Sequence, residues 1–284
     1  VDGTTLHLMD LEAIRDEFGH HHNQHRILST ARVVARIDVL NEIIIDGKLG
    51  SINKGEKEMA VPQLDEVSGN VISIYDRHFA SFAFINEHVR RDLHFIIRCK
   101  LGQNKVVKGF VSSGKKSAIE TFYPTAAAIK YFKKQGVKLR KEDTIKVRLV
   151  RVELNTGETE ILITSLMDEQ EFPTPVFGEL YNLRWGTETC FDTLKNKLQI
   201  TAFSGHTVEA IYQEFHATIL VANINTILVQ DCQDEVDRIS QRRKHNYKIN
   251  KNISIGLMKN DLVKLFIEEN QQLFLQLLDC SFCS

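Results

Sequence analysis

Two β-branched runs, ARVVARIDVL (31–40) and NEIIIDGKLG (41–50), follow one another with little more than a turn between them, and they constrain the fold most. Val and Ile crowd a helix at χ1 and suit a pleated surface, so the runs predict an antiparallel pair of strands. The alternating stretch VDGTTLHLM (1–9) supplies an earlier strand that begins at Asp2. Within 51–67, EKEMAVPQLDEV predicts a helix interrupted or shifted at Pro62. NVISIYDRHF (70–79) predicts an apolar strand ending at Asp76, SFAFINEHVRRD (81–92) a helix and HFIIRCK (94–100) a further strand. Three strands, a helix, a strand, a helix and a strand form a mixed α/β order.

Beyond Lys100 the character changes. TIKVRLVRVEL and NTGETEILITSL predict a hairpin turning at Asn155-Thr156-Gly157, within a strand-rich insertion over 101–172. Pro173 and Pro175 punctuate the chain before a helix over 181–198, and Gly205 separates that helix from a longer one, 206–230. The longer helix carries Val208, Ile211, Phe215, Ile219 and Ala222 as a stripe for burial. QRRKHNYKINKN reads as a basic loop or linker, and 254–278 as another amphipathic helix. The chain therefore divides at 1–100, 101–172, 173–235 and 236–284.

With 284 residues, 43% hydrophobic and 26% charged, the chain suits a sizeable core and excludes a disordered or fibrous class. No apolar run approaches the ~18–20 residues that span a bilayer, so no membrane partner is expected. The chain starts at Val1 rather than Met, which reads as a fragment of a longer protein. Cys99, Cys190, Cys232, Cys280 and Cys283 are odd in number and scattered, and only the last two have a metal-like spacing, so reduced thiols in a cytoplasmic protein are expected. The net charge of −1 hides an asymmetry. From Arg98 to Arg151 there are 15 Lys or Arg against 3 acids, a local charge of +12 that favours a polyanion through counterion release. Phe110, Phe122, Tyr123, Tyr131 and Phe132 lie among these cations, for stacking or for packing.

The segment YNLRWGTETCFDTLKNKL (181–198) carries the most specific pattern. At about 100° per residue, Tyr181, Arg184, Glu188 and Lys195 fall on one helix face roughly 60° wide. Such a face is either a solvated surface with spaced ion pairs or a carboxylate flanked by cations for a polyanion to lie across. Asp2 in the first strand and Asp76 at the end of the fourth are the other acids of interest, because α/β folds bind ligands outside strand ends.

VDGTTL, then YDRHF and FINEHVRRDLHFIIRCK, then Tyr181, Arg184, Glu188 and Lys195 at their fixed spacing, and FSGHTVEAIYQEFHATILVANI together resemble the DDE transposases of the insertion-sequence-four family. The resemblance covers roughly 1–230. It implies a ribonuclease-H-like catalytic core, a mixed sheet flanked by helices, in two parts (1–100 and 173–235) around the basic β-rich insertion 101–172; beyond the resemblance, 236–284 reads from its own pattern as a C-terminal helical segment. It implies that Asp2, Asp76 and Glu188 are catalytic and bind two Mg²⁺ (or Mn²⁺) ions, which serve hydrolysis and strand transfer at phosphodiesters. It further implies that Tyr181, Arg184 and Lys195 contact DNA phosphates, that the partner is double-stranded DNA (transposon ends and target), that the protein acts as a homodimer on DNA, and that it is bacterial, cytoplasmic and nucleoid-associated when bound. The alternatives are a metal-dependent nuclease of the same fold and an inactive DNA-binding remnant.

The chain departs from the family where Asp-Arg-Gly-Tyr is usual and Asp76-Arg77-His78-Phe79 stands, and where Gly186-Thr187 precedes the Glu. The end-binding region typical of the family is not found upstream. Asp46, at the end of an apolar run, rivals Asp2 as first carboxylate, although Asp46-Gly47 also reads as a turn. His20, His21, His22 and His25 are expected in an exposed loop, with metal binding as the alternative, and Trp185 is expected in the core, with DNA stacking as the alternative.

Overall fold

The structure is a computed structural model that describes residues 1–23, 26–68, 70–154, 157–240 and 247–258. The first sheet is built on β3 (Arg26–Asp38), which pairs antiparallel with β1 (Asp2–His7), β2 (His20–Asn23) and β4 (Ile43–Ser51). A five-stranded sheet runs β5 (Ile72–Tyr75), β6 (His94–Cys99), β9 (Thr159–Thr164), β8 (Ile145–Glu153) and β7 (Ser117–Phe122). In it β5 and β6 are parallel and the other neighbours antiparallel. The Val1 nitrogen donates to the Ile74 carbonyl at 2.9 Å, which brings the start of β1 alongside β5.

Alternation along the strands gives the two faces different partners. On one face Val34, Tyr75, Phe95, Ile97, Val147, Leu149, Ile161 and Ile163 belong to a single cluster. That cluster is covered by α2 (Glu56–Ala60), α3 (Phe82–Val89), α4 (Lys105–Ser113) and α5 (Ala126–Lys134). Ser81, Asn104 and Thr125 cap α3, α4 and α5 by accepting from backbone N–H groups, and Gly114 at φ +69° ends α4. On the other face, Ile96, Val150 and Leu162 pack against Phe177 and Tyr181 of α6 (Val176–Asn182). Leu6, Val33, Ala35 and Leu49 pack there against α7 (Trp185–Asp192) and α8 (Val208–Ser240). A mixed sheet flanked by helices is the architecture expected of a ribonuclease-H-like core, and the run from α6 through α7 crosses the seam where β1 meets β5.

Several expectations are corrected. The segment 101–172 is not only strand-rich: it contains α4 and α5, and β9 pairs with β6, so its strands extend the sheet. His20–Asn23 is strand β2, paired with β3, not a loop; His25 lies outside the described residues. Asp46-Gly47 is no turn but the middle of β4. A Cβ on Gly47 would lie 2.5 Å from the Ile219 Cδ1 of α8, so a residue without a side chain lets that helix dock. Pro62 does break its helix, with α2 giving way to a 3₁₀ turn over Val61–Glu66. Glu153 opposes Thr159 across the β8–β9 hairpin, whose residues 155 and 156 lie outside the described residues, as do Cys280, Cys283 and most of 254–278. Residues 251–258 are helical. Among the described residues, no helix is long and apolar enough to cross a membrane.

Candidate active site

The helix expected over 181–198 is not uniform. Leu183 and Arg184 keep right-handed helical dihedrals, but Arg184 N–H bonds to Tyr181 O and Thr187 N–H to Arg184 O, the tighter i to i+3 pattern. After α7 the chain loosens into a π turn over Thr193–Lys197. Overwinding at 181–184 stacks the residues three apart, and underwinding at 193–197 re-aims Lys195. The four polar residues therefore do not share one solvated stripe. Tyr181 is 7% exposed and sits in the core under α6. Lys195 Nζ reaches back to β1, donating to Thr4 Oγ1 at 2.5 Å. Thr4 lies two residues from Asp2 and so on the same strand face.

Arg184 is the hub. Its side chain is only 10% exposed, and Nη2 donates to Glu188 Oε1 at 2.7 Å while Nη1 lies 3.6 Å from Asp2 Oδ2. The guanidinium carbon also lies 5.9 Å from the Tyr181 ring centre and 5.8 Å from that of Trp185. The ion pair anticipated for an exposed helix face thus exists, but it is half inside the protein and shared with a strand. Trp185 corrects the expectation of a core residue: it is 60% exposed. Gly186 has a packing reason for its place before Glu188, since a Cβ there would meet Val39 Cβ at 3.3 Å as α7 lies against the end of β3. Gly3 has one too, because its Cβ would fall 2.6 Å from the Glu56 side chain.

The Asp2 carboxyl feels the charge of Asp76. Burial pushes the Asp2 carboxyl up and the negative charge of Asp76 adds to this, against the Gly3 N–H, which donates at 2.8 Å, and Arg184. Burial also works to raise Asp76, but the Arg77 N–H and the His78 ring outweigh it and hold the carboxyl below its ordinary range. His78 Nδ1 lies 3.0 Å from Asp76 Oδ2. Burial pushes the Tyr181 phenol up to about 12, with Arg184 and Asp76 among the charges it feels, and lowers Lys195. Two buried polar atoms here have no partner: Tyr181 Oη and Arg184 Nε.

Asp2 and Glu188 thus meet one guanidinium, whose charge Asp76 also feels. Asp46 is not among them, because it stands opposite Arg36 whereas Asp2 stands in the row of Ala35 and Gly47, on the other face of the sheet. Three carboxylates are a donor set that suits a hard divalent cation. Among the described residues no three His, Cys, Asp or Glu side chains are closed into a metal cluster; Arg184 stands between Asp2 and Glu188 in that role. The sequence reading missed Thr4 as a member of this neighbourhood and marked His78 only as a departure next to Asp76, either narrowing the site or pointing away; its ring lies on Asp76. Thr4 could have been found from its i+2 spacing to Asp2, whereas the contact of His78 depends on the 3₁₀ turn of Arg77–Phe79.

The family model of the transposase DDE domain matches residues 1–224. Among curated proteins the chain is similar to the transposase InsG of insertion sequence element IS4 from Escherichia coli strain K12, with 20% identity over 195 residues. That match covers 68% of this chain and 42% of the relative, so the chain spans less than half of that protein's length. Among solved structures it is similar to piggyBac transposase, seen by cryo-EM in a synaptic complex with hairpin DNA, at a TM-score of 0.46 and 10% identity over 93% of this chain and 54% of that one. The chain belongs to the transposase DDE domain family.

Proposed function

We propose that this chain is the catalytic domain of a DNA transposase, cutting transposon ends and joining them to target DNA. The observation that carries the reading is Arg184 reaching Asp2 and Glu188 together, beside Asp76. Asp2, Asp76 and Glu188 would hold two Mg²⁺ or Mn²⁺ ions, which supply activation of the attacking oxygen and stabilisation of the leaving one. Arg184 then turns from the carboxylates to a phosphate, for which its planar fork of donors is suited. Tyr181 keeps a neutral hydroxyl that is buried and unpartnered, and a phosphate oxygen would satisfy it only if the strand uncovers it. Lys195 uses one of its three donors on Thr4 and keeps two for the strand. Trp185, exposed beside Arg184, is placed to stack on a base. Two copies on paired ends complete the reading.

A pre-cut transposon end offered with target plasmid and Mg²⁺ tests it. Joined product is expected, and Asp76→Asn should abolish joining and nicking while leaving DNA binding intact. Cleavage without joining would make the protein a nuclease, and binding without either would make it a remnant.

A further inference from the structure

The place that faces both Asp2 and Glu188 is already taken by a cation. Arg184 Nη2 donates to Glu188 Oε1 at 2.7 Å and Nη1 lies 3.6 Å from Asp2 Oδ2. The Tyr181 and Trp185 rings flank the guanidinium and help to hold it there. Resting on the reading that the three acids hold metal ions, we infer that Arg184 is an autoinhibitory latch. It stands in for the metal between Asp2 and Glu188 until a DNA phosphate draws it away, so that DNA binds before metal.

An ordinary i to i+4 pair on a helix surface lies in water and holds its partners weakly. This one differs in two ways: the Arg184 side chain is only 10% exposed, and it reaches a second carboxylate on β1. A divalent ion shared by those two oxygens would need the place that the guanidinium fills. It would also meet a fixed positive charge where water screens poorly. The contact is nevertheless one that can be left. Its Asp2 side is too long for a hydrogen bond, and the buried Arg184 Nε has no partner. Each carboxylate here meets a single Nη, whereas a phosphate presents oxygens to Nε and Nη together. A strand that uncovers the guanidinium therefore offers it more donors satisfied than the resting contact does.

Mn²⁺ binding by the whole chain, followed by electron paramagnetic resonance of the free ion, tests the latch. Without DNA the parent should bind Mn²⁺ weakly, and Arg184→Gln should bind it about tenfold tighter. A short duplex should tighten Mn²⁺ in the parent and much less in Arg184→Gln, where the latch is already gone. Arg184→Lys keeps a charge without the planar fork, so it should fall between the two, and it replaces the Gln variant if that does not fold. Asp2→Asn, with and without duplex, accounts for ions held by DNA alone. If Arg184→Gln binds Mn²⁺ no better than the parent while Asp2→Asn loses DNA-dependent binding, the latch is overturned and the metal site stands. If Asp2→Asn binds Mn²⁺ as well as the parent under every condition, the metal reading falls and the latch with it.

Discussion

A single buried ring illustrates how strongly position decides behaviour in this protein. His88 is fully buried, with Nδ1 2.9 Å from the Phe84 carbonyl and Nε2 2.8 Å from Tyr75 Oη. The neutral tautomer satisfies both contacts, donating to Phe84 and accepting from Tyr75. Burial lowers its pKa from 6.5 to about 4. The folded chain thus binds fewer protons than the unfolded one between those values, so the stability it contributes is present above pH 6.5 and is lost as pH falls to about 4. The loss should be on the order of 3 kcal/mol, read from urea unfolding across that window, and His88→Gln should flatten the slope. Tyr181 makes the opposite case. Its buried hydroxyl has no partner, so Tyr181→Phe should leave stability unchanged or raise it by up to ~1 kcal/mol in thermal melts. The same variant should slow DNA nicking about tenfold. A loss of stability with unchanged nicking would make the phenol a structural group.

Among the elements, α8 shows how a strand and a helix settle their distance. The stripe of Ile211, Phe215 and Ala222 is buried against the first sheet, and Gly47 of β4 leaves room for Ile219. Phe215 Cζ would also lie 3.4 Å from a Cβ at that position, so a branched side chain cannot be absorbed by one rotamer change. Gly47→Val should therefore destabilise the protein by about 2 kcal/mol in denaturant titration. At the site, the important element is the run from α6 to the π turn. Its apolar positions Phe177, Phe191 and Leu194 grip the two halves of the sheet, and its irregular windings set where Arg184 and Lys195 point.

For the whole molecule the basic segment from Arg98 to Arg151 matters most. Of its 15 cations, 12 are exposed. The exceptions have structural employment: Arg98 pairs with Glu160, Arg151 donates to Val111 O, and Arg148, fully buried, donates to Ser117, Leu166, Phe172 and Thr174. Lys105 and Lys108 lie in the first turns of α4, where the helix dipole disfavours a cation. Replacing both by Gln should raise stability by a few tenths of a kcal/mol and reduce the slope of log affinity against log salt by up to ~2, measured by DNA titration. An unchanged slope would remove this face from the DNA path.

The strand runs and the Tyr181-to-Lys195 spacing were legible in the linear order, because propensity and periodicity act over a few neighbouring residues. The β-branched runs predicted β3 and β4 as a pair, and of the residues the signature spacing singled out, Tyr181 and Glu188 lie against Arg184 while Lys195 reaches Thr4 instead. Local pattern could not decide that Trp185 faces solvent, that Gly47 sits under a helix, that Asp46 and Asp2 take opposite faces of one sheet, or that Lys195 ends on Thr4. Each depends on strand register or on a change of helix winding, and both are settled by packing between segments as much as 191 residues apart. The sequence chose the chemical groups; only the tertiary fold could choose their neighbours, because burial and charge are properties of what surrounds a residue and not of the residue itself.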